Sequence, residues 1–121
     1  MKEIRETYIE RMYELKKKKG YIRAIDLANY MNVKPSTVTE MLQKLANEGY
    51  VIYEKYRNVD LTDKGLKLAM ELEKKHNAIR KLFLHMGVSY ETANRDACVI
   101  EHLISEETAK KIIEYVNSLD R

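Results

Sequence analysis

A chain of 121 residues, 45% hydrophobic and 34% charged, holds one domain or one and a half, with enough apolar side chain to bury a core and stay in solution. Four glycines and one proline exclude a barrel or sandwich of many short strands, one cysteine excludes a disulfide framework or a four-cysteine zinc site, and no glycine-rich nucleotide loop is present. The net charge of +3 is unevenly spread: residues 1–65 carry 13 Lys and Arg against 10 Asp and Glu, residues 66–121 carry 9 against 9.

In chain order, residues 3–19 predict a helix. Ile4, Tyr8, Met12 and Leu15 fall at helical spacing, and four lysines followed by Gly20 mark its C-terminus. Residues 24–31 (AIDLANYM) predict a short second helix, and Asn32-Val33-Lys34 a turn. A third helix opens at Pro35-Ser36-Thr37 and runs to about Asn47, with Val38, Leu42 and Leu45 as its buried stripe and Gly49 closing it. Residues 50–54 and 58–61 are strand-like and form a hairpin around Lys55-Tyr56-Arg57. Thr62-Asp63 caps a long helix over about 63–85, broken by Gly87. Two further helices are predicted over about 89–104 and 105–118, the second capped by Ser105 with an acidic first turn. No apolar stretch approaches a bilayer span and the first residues are charged, which predicts a cytoplasmic protein with no membrane partner.

Helix, helix, turn, helix, two-stranded hairpin is the order of a winged helix-turn-helix. The fold class expected is therefore mainly α: a winged-helix DNA-binding domain followed by an all-helical domain. A recognition helix presents its N-terminal residues to the major groove, and a hairpin tip reaches phosphates. Lys34, Ser36, Thr37, Thr39, Lys55 and Arg57 are the candidate DNA contacts. Taken singly, the hydroxyls are also ordinary capping groups and the tip residues ordinary solvated charges; their combination in this order points to DNA. Glu40, one turn into the third helix, reads as a solvated helix charge.

In Cys98-Val99-Ile100-Glu101-His102, the thiol, carboxylate and imidazole stand at i, i+3 and i+4, on one face of a helix. That donor set suits a transition metal, and His76 on the long helix is a further candidate. A small buried cysteine, a solvated glutamate and a hydrogen-bonded core histidine would fit the same residues.

The chain resembles the diphtheria-toxin-repressor and manganese-transport-regulator family of metal-dependent repressors. The matching blocks run nearly end to end: Tyr8-Ile9-Glu10, Tyr13-Glu14-Leu15, Lys19-Gly20-Tyr21-Ile22-Arg23, Pro35-Ser36-Thr37-Val38-Thr39, Ile52-Tyr53-Glu54-Lys55-Tyr56-Arg57, Leu61-Thr62, Lys64-Gly65, Lys75-His76, and Glu101-His102-Leu103 with Ser105. The resemblance implies a homodimer on double-stranded operator DNA, repressing metal-uptake genes when the metal is plentiful. It implies a DNA-binding domain over 1–65 and a metal-binding, dimerising domain over 66–121, joined by the long helix. Its ligand positions fall on Thr7, Glu10, His76, Cys98, Glu101 and His102. Thr7 stands where the iron type has Met and the manganese type Asp. Cys98 matches the iron type, Glu10 the manganese type. The iron type's ancillary site is matched by Arg80 and Asn94, so that site is expected to be lost. The chain ends where the iron type continues into an SH3-like domain, which is therefore expected to be absent. A thiolate favours softer ions, so Fe(II) is expected first and Mn(II) next.

No nucleophile–base pair is evident, so no enzyme and no small-molecule substrate are expected. The rival reading is a winged-helix regulator that uses no metal and senses a small molecule or thiol oxidation at Cys98.

Overall fold

Four lysines in the last turn of α1 (Lys2–Lys19) place cations at the negative end of the helix dipole, and Gly20, at φ +81°, carries the chain out of the helix. In the computed structural model, which describes residues 2–54 and 59–120, the chain divides into two compact units, Met1–Ala69 and Met70–Arg121. Among the described residues there are six helices and one two-stranded antiparallel sheet. The architecture is mainly α, a winged helix-turn-helix followed by helices, as the sequence predicts.

In the first unit, α2 (Ala24–Met31) ends on Asn32, whose left-handed backbone (φ 56°) lets its N–H reach the carbonyls of Ala28 and Asn29. That turn leads directly into α3 (Pro35–Asn47), with Pro35 in the first turn, where a missing N–H leaves no bond unmade. Val38, Leu42 and Leu45 are fully buried, each worth about 1.5–3 kcal/mol relative to exposure. They join Tyr8, Ile9, Met12, Leu15, Ile22 and Leu27 in one core. The stripe expected on α1 is corrected at its start. Ile4 is 45% exposed, and the helix turns its apolar face inward only from Glu6 onward, with Ile9 completely buried.

Strands β1 (Val51–Tyr53) and β2 (Val59–Leu61) pair antiparallel, Val51 opposite Leu61. They are shorter than the expected 50–54 and 58–61; the connecting residues, with Lys55 and Arg57, lie outside the described residues. The sheet is tied back to the α1–α2 connection. Val59 donates its N–H to the Ile22 carbonyl at 3.0 Å, and Lys16 Nζ bonds Asp60 Oδ1 at 2.7 Å. Thr62 caps α4 (Asp63–His85), its hydroxyl accepting from Gly65 N–H at 3.1 Å and donating to the Gly49 carbonyl at 2.6 Å.

In the second unit, α5 (Tyr90–Ile100) and α6 (Glu106–Leu119) join the rest of α4. Ser89 and Ser105 cap their helices by accepting from Thr92 and Thr108 N–H. The buried apolar residues are mostly small: Ala78, Ala93, Ala97 and Ala109, with Leu72, Ile79 and Val116. Leu84, Met86, Tyr90, Val99, Leu103 and Tyr115 remain exposed. The predicted helix over 89–104 stops four residues early, and residues 101–104 form a turn. Leu103 N–H reaches the Ile100 carbonyl at 2.9 Å, a tighter spacing than an α-helix allows.

Candidate metal centre and nucleic-acid interface

The second unit gathers four of the expected ligands. His76, on α4, presents Nδ1 to Glu101 Oε2 at 3.3 Å and to Cys98 Sγ at 3.8 Å. Glu101 Oε1 lies 3.3 Å from His102 Nε2. Glu101 is 1% exposed and His102 7%. The early end of α5 changes how this happens. Glu101 is the C-cap, still near helical dihedrals (φ −56°, ψ −28°), so its carboxylate leaves the helix on the face that Cys98 shares. His102 lies beyond the helix and arrives through the turn.

These distances can be tested against an ion. Donors bound at about 2.0–2.3 Å around one metal stand roughly 3.0–3.8 Å from one another. Three neighbouring separations along the series Cys98, His76, Glu101 and His102, at 3.8, 3.3 and 3.3 Å, fall in that interval, with the two histidines on different oxygens of the Glu101 carboxylate. Two imidazoles, a thiol and a carboxylate, each buried or partly so, are a donor set for a first-row divalent metal. Metal-free, the Glu101 carboxylate holds the His76 pKa above its ordinary value. The Asn94 hydrogen bond adds to this, while burial and the Arg80 charge oppose it.

Glu10 and Thr7 lie on α1, in the first unit, both partly buried. The Thr7 hydroxyl donates to the Glu3 carbonyl one turn back, at 2.7 Å.

On α3, Lys34, Ser36 and Thr37 are exposed at the helix start, while Thr39 is half-buried and its hydroxyl bonds the Pro35 carbonyl at 3.1 Å. Glu40 is exposed one turn on. The sequence reading passed over Gln43, which is also exposed and continues the outward face of Ser36 and Glu40 at helical spacing. Its amide has the donor and acceptor that an adenine edge calls for; an outward polar position next to the Leu42 and Leu45 stripe was the available signal. The carboxylate of Glu48 is paired with Arg5, and Lys64 Nζ bonds the Glu48 carbonyl at 2.9 Å.

No described helix is long and apolar enough to cross a membrane. Residues 1–59 match the family described as iron dependent repressor, N-terminal DNA binding domain, and residues 62–121 its metal binding and dimerisation domain. The HTH-type transcriptional regulator MntR of Lysinibacillus sphaericus is 39% identical over 115 residues, covering 95% of this chain and 83% of the relative. The MntR of Geobacillus kaustophilus is 41% identical over 111 residues, covering 92% and 79%. Among solved structures, the metal-dependent transcriptional regulator MtsR superposes with a TM-score of 0.85 at 26% identity, over 97% of this chain and 55% of that one. The manganese regulator SloR gives 0.78 at 31%, over 93% and 53%. The chain thus spans about half the length of these solved relatives. The matches do not favour the metal-free reading. With a helix-turn-helix and wing in one unit and a clustered donor set in the other, the chain belongs to the iron-dependent repressor family of metal-dependent, DNA-binding transcriptional regulators, which are not enzymes.

Proposed function

We propose that this chain is a cytoplasmic repressor of metal-uptake genes that binds operator DNA as a homodimer when Fe(II), or next Mn(II), occupies a site made by His76, Cys98, Glu101, His102 and Glu10. The observation that carries this reading is the buried Glu101 carboxylate between His76 and His102, with the Cys98 thiol beside His76. The bound ion supplies a concentrated positive charge that satisfies these donors together. Metal-free, Glu101 is held by two imidazoles. To hold an ion, His76 would give up its Nδ1 proton and Cys98 its thiol proton, leaving an imidazole nitrogen and a thiolate as donors. Glu10 brings a ligand from α1, so the set draws on both halves of the chain, divided near residue 65. In a dimer, that shared ligand set selects the spacing of two α3 helices that fits successive major grooves, roughly 34 Å apart. Thr7, with its hydroxyl turned to its own helix, is the weakest member. The Cys98 thiolate favours Fe(II) over Mn(II), which prefers oxygen donors; SloR, described as a manganese regulator, is why Mn(II) stands next.

Lys34, Ser36, Thr37, Thr39, Lys55 and Arg57 meet the DNA in this reading, with Gln43 added as a base-reading residue. The exposed Leu84, Met86, Tyr90, Val99, Leu103 and Tyr115 support a second copy as partner, because large apolar residues at this density mark interfaces. No small-molecule substrate is assigned. Gel-shift on operator fragments with chelator, Fe(II) or Mn(II) tests the switch. The expected result is tight binding in metal alone, abolished in Glu101→Gln/His102→Ala with an unchanged circular dichroism spectrum. Equal affinity with chelator and with metal overturns it.

A further inference from the structure

Leu72, Lys75 and Ile79 share one face of α4, at i, i+3 and i+7. Leu72 and Ile79 are each 1% exposed, and Lys75, between them, is 9% exposed. A lysine in the core-facing stripe of a helix can keep its methylene stem among apolar neighbours only where its ammonium reaches a partner or water. Here it reaches a partner. Lys75 Nζ donates to Glu106 Oε1 at 2.8 Å, 31 residues later in the first turn of α6. The two ends of the bond differ: the lysine side chain is 10% exposed and the glutamate 85%. The bond ties α6 to α4 at the residue next to His76.

The segment between the tied points shows what the bond does. Helix α5 ends at Ile100, the turn 101–104 follows, and Ser105 caps α6. That turn carries Glu101 and His102. On its α5 side it is held by the Leu103 and Ile104 amides, which donate to the Ile100 carbonyl at 2.9 and 3.1 Å. On its α6 side the Lys75–Glu106 bond fastens it across to α4. His102 lies beyond α5, so the turn sets its position and the helix does not.

We propose that Lys75 is a positioning residue, whose bond to Glu106 pins the first turn of α6 to α4 and so holds the 101–104 turn ready for His102 to join an ion. The inference rests on the metal reading above and goes beyond it by naming a residue that is not a ligand. Charge attraction is not its means, since an ammonium on the residue next to a ligand opposes a dication. Its effect is geometric: a turn already in place loses less freedom when its side chain closes on an ion.

Four variants of the full chain test this. Lys75→Met keeps an unbranched stem and removes the ammonium, while Lys75→Arg keeps the cation. Glu106→Ala breaks the bond from its exposed end, where the fold has little to lose, and carries the test if Lys75→Met fails to fold. Glu107→Ala removes the neighbouring exposed first-turn charge, and with it a similar attraction to the helix dipole, without touching the bond. The first arm reads amide hydrogen exchange at Leu103 and Ile104 in the metal-free chain. Exchange is expected to be about 5-fold faster in Lys75→Met and Glu106→Ala, the upper end for a partly exposed ion pair, and as in wild type in Lys75→Arg and Glu107→Ala. The second arm measures Zn(II) affinity by competition with a chromophoric chelator. The same two variants are expected to bind about 5-fold more weakly, and the other two as wild type does. Unchanged exchange in Lys75→Met and Glu106→Ala, Zn(II) binding that is unchanged or tighter in both, or equal losses in Glu107→Ala overturns the proposal. If wild type binds no Zn(II), the metal reading fails, and the exchange arm alone decides whether Lys75 holds the turn.

Discussion

Replacing Gly65 by alanine sets two effects against each other. Gly65 lies in the first turn of α4 and is buried. Helix propensity alone favours Ala over Gly by about 1 kcal/mol. A Cβ at this position would stand 2.1 Å from the Tyr50 carbonyl oxygen, 3.1 Å from its carbon and 3.2 Å from Leu61 Cδ2. The first two are backbone atoms, so no rotamer change relieves the clash. The Tyr50 oxygen also accepts the Thr62 N–H at 3.1 Å, so moving it costs a further bond of about 1 kcal/mol. Overpacking costs about 1–3 kcal/mol, and a backbone obstacle belongs at the upper end. The clash therefore wins, with a net loss of about 3 kcal/mol. At roughly 4–8 °C per kcal/mol for a small domain, Tm should fall by about 12–24 °C. Thermal unfolding in chelator, followed by circular dichroism at 222 nm, measures it. An unchanged or raised Tm would show that α4 moves freely against the β1 strand, and would refute the close-approach argument.

Three other outcomes follow from the second unit. The His76 pKa is raised in the folded, metal-free chain by the Glu101 carboxylate. Its stabilising contribution is therefore complete below the ordinary histidine value of about 6.5 and is lost as pH rises through the elevated folded value. In chelator, the stability difference between wild type and His76→Gln should shrink from pH 6 towards pH 8 in urea titrations; a difference that grows with pH contradicts the pairing. Metal affinity should run the opposite way, tightening as pH rises, because the ion competes with that proton. Ser105→Ala removes the acceptor for Thr108 N–H at 3.1 Å and should lower stability by about 1 kcal/mol at unchanged urea m-value; a change under a few tenths would mean the cap is replaced by water.

Much of the first unit was legible because its signals are local. Pro35 at a helix start, Gly20 and Gly49 at positive φ, and the Val38, Leu42, Leu45 stripe each act within one turn of chain. Gly65 shows the limit: the sequence offers a glycine in a helix, and only Tyr50, 15 residues earlier, explains it. The end of α5 was not legible for a related reason. Residues 88–121 contain neither Gly nor Pro, and the turn at Glu101 is built from right-handed backbone that any residue adopts. Periodicity continues through such a turn, so 89–104 reads as one helix. The donor set survived this error because Glu101 keeps near-helical dihedrals. The pairing of Asn94 with both His76 and Arg80 lies outside what spacing can reveal, since it depends on which atom of an amide faces which neighbour.

The bond from Val59 to the Ile22 carbonyl, with Lys16 and Asp60 beside it, has a consequence for how the first unit is made. Helices α1 to α3 form by contacts close in sequence, which is the fast part of folding. Closing their bundle requires joining the α1–α2 connection at Ile22 to the second strand at Val59, 37 residues later, and the entropy of that closure is recovered only when both partners exist. On the ribosome, the three helices emerge first and wait, with the Ile22 carbonyl lacking its partner, until β2 has cleared the exit tunnel. A nascent chain cut between α3 and β2 should therefore be helical yet protease-sensitive. The wing, made after the three helices, is also the clasp that turns a helical chain into a folded domain.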